Sequence, residues 1–314
     1  KMEINYENFN PKKSLVLYGL EDKLNILINL INKDKFPQIL LLSGKKGIGK
    51  FTLVNHFLTY FFDKKNYLRK DQTIINTSIF YKQNMNETFS NIIYLPAFKF
   101  NGVKVDNIRS LKSQLLKSSF VKQKRFVILD DVELFNRNSL NALLKIIEEP
   151  PKNNYFILIN NKSTSLIETI HSRSLEFKIF IDNLQREKII KSLVSKFSLD
   201  VCIDYKKINI TPGNFLIFNY ICEKNKIDID TNIVDNIEKI ITAYKKNKDP
   251  YLIEIAMFLI DNHFNNYQNE NKDIPIDKII RNKVYFSSSL KNFVKLNLNQ
   301  NTFINSLNEK LQNG

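Results

Sequence analysis

The 314 residues hold only two cysteines and three histidines. Cys202 and Cys222 leave no room for a disulfide framework or a four-cysteine zinc site. His56, His171 and His263 are scattered and read as ordinary structural or surface residues. Long apolar runs are missing too. "FLTYFF" is too short and "YLIEIAMFLI" carries a charge, whereas crossing a bilayer takes ~20 apolar residues. The opening "KMEINYENFN" has no apolar signal-peptide core. These absences point to a reduced, cytoplasmic setting with no membrane partner.

What is abundant is positive charge. The formal net charge is +15, and 40 of the 47 basic residues are Lys. Contact with nucleic acid is one reading. The base composition of an AT-rich genome is the other, since Asn and Ile are plentiful as well. There are no long basic blocks and no RNA-binding aromatic signatures to decide between them. A chain of this length, with 43% hydrophobic residues, has the ordinary make-up of a globular protein of two or three domains.

Short apolar runs alternate with helical patterns through the first ~180 residues. The runs are "QILLLS" (38–43), "NIIYL" (91–95), "RFVILD" (125–130), "NYFILI" (154–159) and "LEFKIF" (175–180). Such runs imply a parallel sheet covered on both faces. Val105, Ile108, Leu111, Leu115 and Leu116 share one face of an intervening helix. "NRNSLNALLKIIEEPP" is a helix that Asn138 or Ser139 can cap and that Pro150-Pro151 stops. The segment 63–90 has no clear period and reads as loop with a marginal helix. Beyond Asn183 the pattern is helical; the first of these helices buries Leu184, Ile189, Leu193 and Phe197, and a break at 209–214 precedes the next. The expected organisation is an α/β core over 1–180, a small helical lid over 181–228 and an all-α collar over 229–314.

"GKKGIGKFT" (44–52) joins the first run to a helix. A phosphate-binding loop reads Gly, four residues, Gly-Lys, then Ser or Thr, and places backbone N–H groups and a helix N-terminus around an anion. Gly44, Gly49 and Lys50 fit, with Gly47 among the four residues between, but Phe51 stands where a magnesium-binding hydroxyl belongs. Thr52 is one residue late, about 100° round the helix. Asp130, ending "FVILD", supplies the second magnesium ligand, and Asp131 follows where a water-polarising Glu is usual. The candidate nucleotide site is therefore Gly44, Gly47, Gly49, Lys50, Thr52 and Asp130, in degenerate form: ATP is bound weakly or not at all, and no cofactor is assigned.

"NRNSLNALLKIIEEPP" after "ILDDVE", with "TIHSRSLEF" further on, resembles the clamp-loader branch of the AAA+ family. "NPKKSLVLYGLEDKLNILINLINKDKFPQILLLSGKKGIGKFTL" and "VKVDNIRSLK" narrow the resemblance to its delta-prime subunits of bacterial DNA polymerase III. The resemblance covers about residues 11–220 and continues more weakly through the helical tail. It implies an AAA+ P-loop core with a parallel sheet, a helical lid and a collar. It also implies a stator in a pentameric ring with motor gamma/tau and delta subunits, loading a sliding clamp onto primed DNA. Arg173 matches the position of an arginine donated in trans to a neighbour's ATP, with Ser174 where Cys is usual. Asn214 stands where motor subunits carry a second phosphate-sensing cation, and Asn160 or Asn161 near the first. Two other readings remain: a hydrolysing motor subunit, and a protein that binds DNA directly through its charge.

Overall fold

The computed structural model describes residues 5–97, 103–117, 123–270 and 274–313. Helix α1 (Glu21–Asn32) leads into strand β1 (Ile39–Ser43), the glycine loop and helix α2 (Lys50–Phe62). A two-stranded antiparallel hairpin follows, β2 (Tyr67–Leu68) with β3 (Thr73–Ile74), then α3 (Ile79–Met85). Strands of two residues are too short to show a period, which is why 63–90 reads as loop in the sequence. Here His56 has a structural role: buried, it lies 3.0 Å from the Tyr67 hydroxyl and 3.0 Å from the Ser14 carbonyl.

The sheet continues with β4 (Ile92–Pro96), then α4 (Val105–Lys117), β5 (Arg125–Asp130), α5 (Arg137–Glu148), β6 (Asn154–Asn160), α6 (Glu168–His171) and β7 (Leu175–Lys178). Its order is β4-β5-β6-β1-β7, parallel throughout. Every residue of β1 is buried because helices cover both faces. Leu40 and Leu42 join Phe126 and Ile128 under α1 and α2, with Phe57 stacked on Phe36 at 5.0 Å. Leu41, Val127, Leu129, Phe156 and Leu158 pack the other face beneath α4 and α5. Each such fully buried side chain contributes about 1.5–3 kcal/mol of transfer free energy. This is the parallel α/β core, covered on both faces, that the alternating runs imply.

Three local expectations are corrected. The cap of α5 is Asn136, two or three residues earlier than Asn138 or Ser139; its Oδ1 accepts from the Ser139 N–H at 2.8 Å. Leu116 is 58% exposed, while Ile108, Leu111 and Leu115 are buried, since one step along a helix turns a side chain off the face. In α7 (Asn183–Phe197) Leu184 is exposed; Ile190 is buried there alongside Ile189 and Leu193.

The chain divides into two compact units, Lys1–Leu193 with Thr211–Asn214, and Val194–Ile210 with Phe215–Gly314. The second begins α8 (Pro212–Asn225) at Phe215 and continues with α9 (Ile233–Asn247), α10 (Pro250–Glu270), α11 (Ile276–Leu296) and α12 (Gln300–Asn313). Each of the last four packs on the next, and α12 returns against α9. Phe264 meets Phe286 at 5.3 Å and Phe293 meets Phe303 at 4.8 Å in their shared core. Among the described residues no helix is long and apolar enough to cross a membrane.

Candidate nucleotide site and a distant arginine

The glycine loop lies where the parallel sheet directs it, between the carboxyl end of β1 and the amino end of α2. Gly47 has φ +81° and Gly49 +95°, the left-handed region that glycine enters without a Cβ penalty. Gly44 is fixed by space rather than by torsion: a Cβ there would stand 2.4 Å from the Ile179 carbonyl oxygen. Lys50 opens the helix, but its side chain folds back. Its ammonium donates to the Gly44 carbonyl at 2.7 Å and the Lys45 carbonyl at 2.8 Å. Burial lowers its pKa to about 8, with Asp130, Glu133 and Asp131 opposing the shift.

The loop is also tied from the far side of the chain. Thr211 Oγ1 donates to the Lys46 carbonyl at 2.7 Å, and the Gly213 N–H to the Gly47 carbonyl at 2.8 Å. Asn214 belongs to the same contact: its backbone nitrogen would lie 2.8 Å from a Cβ on Gly47. The position expected to sense a phosphate thus leans on the loop with a neutral side chain.

Asp130 ends β5 as expected, and its carboxylate is already engaged. Oδ1 accepts from the Asp131 N–H at 3.0 Å and Oδ2 from the Tyr94 hydroxyl at 3.2 Å. Burial, then the charge of Asp131, raise its pKa to about 6. The same burial, with the facing Asp130 charge, raises the Tyr94 phenol. Phe51 closes this side: its ring meets Tyr94 edge-on at 5.2 Å and packs on the core beneath α2. A phenyl ring therefore stands at the motif position of the hydroxyl, and a phenol occupies one oxygen of the Asp130 carboxylate. Thr52 is half-buried one residue further along the first turn of α2.

Asp131 accepts from the Asn161 side-chain amide, while Asn160 Oδ1 accepts from the Lys162 N–H at 2.8 Å. Glu133 anchors that loop, receiving the Asn161 N–H at 3.0 Å and the Ser163 hydroxyl at 2.8 Å. Tyr94, Glu133 and Thr211 escaped the sequence reading. Alternation along β4 could have flagged Tyr94; nothing local marks the other two.

Arg173 is not part of this cluster. Leu175 pairs with Leu40 and Lys178 with Ser43, so Arg173 lies beyond the amino end of β1, whereas the glycine loop follows its carboxyl end. The five residues of β1 separate them by roughly 15 Å at ~3.3 Å per residue. Its Nη2 meets Glu148 Oε1 at 2.8 Å, with the side chain 36% exposed, and Nη1 donates to the Thr169 carbonyl at 3.2 Å.

Comparison with known proteins gives this geometry a family. Residues 19–182, just over half of the chain, match the family model described as DNA polymerase III, delta subunit. A DNA polymerase III subunit gamma/tau of Mycoplasma genitalium is 25% identical over 99% of this chain and 53% of its own length. A subunit delta' of Buchnera aphidicola (from Acyrthosiphon pisum) is 25% identical over 62% of each chain. The chain spans about half the length, or less, of the first curated relatives it matches. Among solved structures, a DNA polymerase III gamma subunit-related protein of Thermotoga maritima aligns with 91% of this chain and 97% of its own at 16% identity and TM-score 0.48. By the extent of the family-model match, the chain belongs to the DNA polymerase III delta subunit family.

Proposed function

We propose that this chain is the non-hydrolysing stator of a clamp-loading assembly, of the delta-prime type. It braces a ring with gamma/tau motor and delta subunits and lends Arg173 to a neighbour's ATP while a sliding clamp is placed on primed DNA. The observation that carries the reading is the Phe51–Tyr94–Asp130 arrangement. Magnesium needs two protein ligands at such a site. One is replaced by a phenyl ring, and the other already accepts a phenol. Lys50 is engaged by its own loop, and Asn214 brings no positive charge. Arg173 lies at the opposite end of the sheet, out of reach of this chain's own loop. Any nucleotide that a guanidinium there assists is one held by another subunit.

The test is DNA-stimulated ATP turnover in a loader reconstituted with its own motor subunits and clamp. Lys50→Ala should leave turnover near wild type, and Arg173→Ala should lower it by ~1,000-fold or more at the site it serves, in the range of trans-acting arginines. Loss with Lys50→Ala alone would reject the stator.

A motor subunit is the second reading, favoured by one fact: the gamma/tau relative aligns over 99% of the chain. It requires nucleotide to displace both Lys50 contacts and Tyr94. Direct DNA binding through the +15 charge predicts tight, steeply salt-dependent binding by the isolated chain.

A further inference from the structure

Helix α5 ends on Glu148, followed by Glu149 and two prolines. A carboxylate in the last turn faces the negative end of the helix dipole, where a cation is favoured. The cation comes from the far side of β6. Arg173 Nη2 lies 2.8 Å from Glu148 Oε1, while Nη1 is directed at the Thr169 carbonyl at 3.2 Å and the Ser172 hydroxyl at 3.4 Å. The guanidinium is thus held as a two-sided fork, one nitrogen on its own turn and one on α5. Both members are partly exposed, at 36% and 47%. Water and salt screen such a pair, so it orients the side chain without locking it.

We infer that Glu148 is a positioning residue: it holds the Arg173 guanidinium at the amino end of the sheet and is exchanged for a nucleotide phosphate when the neighbouring subunit docks. This rests on the trans-acting reading of Arg173. A guanidinium fork accepts carboxylate and phosphate in the same geometry, so the exchange needs a swap of acceptors and no refolding. The more highly charged phosphate wins once docking excludes water. The exchange leaves Glu148 without its cation beside the dipole's negative end. Glu148 therefore opposes docking and sets how much of the chain must be present before turnover rises.

The experiment measures ATP turnover of the reconstituted loader, with clamp and primed DNA, against the concentration of this chain. Wild type, Glu148→Gln, Glu148→Asp, Arg173→Ala and the Glu148→Gln/Arg173→Ala double variant are compared, with thermal melts of each isolated chain. Glu148→Gln should reach the wild-type maximum at about two- to five-fold lower concentration, as expected for loss of one partly exposed ion pair. Glu148→Asp, which keeps the charge at shorter reach, should fall between the two, and the double variant should match Arg173→Ala. Half-saturation unmoved or raised in both Glu148 variants, with Arg173→Ala inactive, overturns the exchange and leaves the trans-acting reading standing. Arg173→Ala indistinguishable from wild type overturns both. A melting shift with unchanged half-saturation assigns Glu148 to stability alone and rejects the proposal.

Discussion

The Tyr94 hydroxyl donates to Asp130 at 3.2 Å between paired strands of the sheet, in a register that sets Tyr94 opposite Ile128. With Phe51 edge-on to Tyr94 at 5.2 Å, a hydroxyl placed at position 51 would still leave the Tyr94 phenol on Asp130. Phe51→Thr alone should leave nucleotide affinity independent of magnesium. Phe51→Thr with Tyr94→Phe should bind a fluorescent ATP analogue at least ~10-fold more tightly with magnesium than without, a gain of about 1.4 kcal/mol. Equal titrations with and without magnesium for the double variant would remove Tyr94 from this role.

Asp130 makes the fold sensitive to pH. Burial and Asp131 raise its pKa from 3.8 to about 6, so the folded chain holds the proton more tightly than the unfolded chain. Stability from this group is present below pH 4 and declines as pH rises through 6. Asp130→Asn should therefore melt higher than wild type above pH 7, by up to about 2–3 kcal/mol, and lose that advantage at pH 4. Melts across this range test it; an advantage that grows on acidification would contradict it.

Gly47→Ala should destabilise the α/β unit by about 2–4 kcal/mol. The new Cβ would stand 2.5 Å from Thr211 Oγ1 and 2.8 Å from the Asn214 nitrogen, on a residue with φ +81°. Thr211→Ala, which removes only the bond to Lys46, should cost about 1 kcal/mol. Denaturant unfolding of the two variants gives the comparison, and equal losses would mean that the steric contact is not what matters.

In the helical unit the buried amide of Asn219 accepts the Cys202 N–H at 2.7 Å and the Ile203 N–H at 3.2 Å, and donates to the Asp200 carbonyl at 2.8 Å. Asn219→Leu strands the buried Ile203 N–H, together with the partly buried Cys202 N–H and Asp200 carbonyl. A loss of about 2–4 kcal/mol is expected, with earlier proteolysis of the 194–210 segment. Wild-type protease resistance would show that water replaces the amide.

The glycine loop, Asp130 and the five strands of the sheet were legible in the sequence because each is a local pattern. What escaped depended on distant neighbours. Asn136, Asn138 and Ser139 are locally equivalent caps, and the extended backbone at Asn136 selects between them. Leu184 and Leu116 lie near their helices' apolar faces, yet nothing in a period says which end of a face is covered. Tyr94 meets Asp130 only through the β4–β5 register, and the separation of Arg173 from the loop only through β1–β7.

The contact of Thr211 and Gly213 with Lys46 and Gly47 bears on how such a motif ages. Gly47 and Gly213 each exclude a Cβ because the other chain segment is already there, with or without a phosphate. Gly44 is held the same way by the Ile179 carbonyl, whereas Lys45 points outward and meets no such limit. Substitution is thus resisted at Gly44, Gly47 and Gly213 by steric fit, and at Ile48 by burial in the core, while exposed Lys45 is free of both limits. The spacing of these glycines is thus a packing requirement of this fold in its own right, whatever the loop holds.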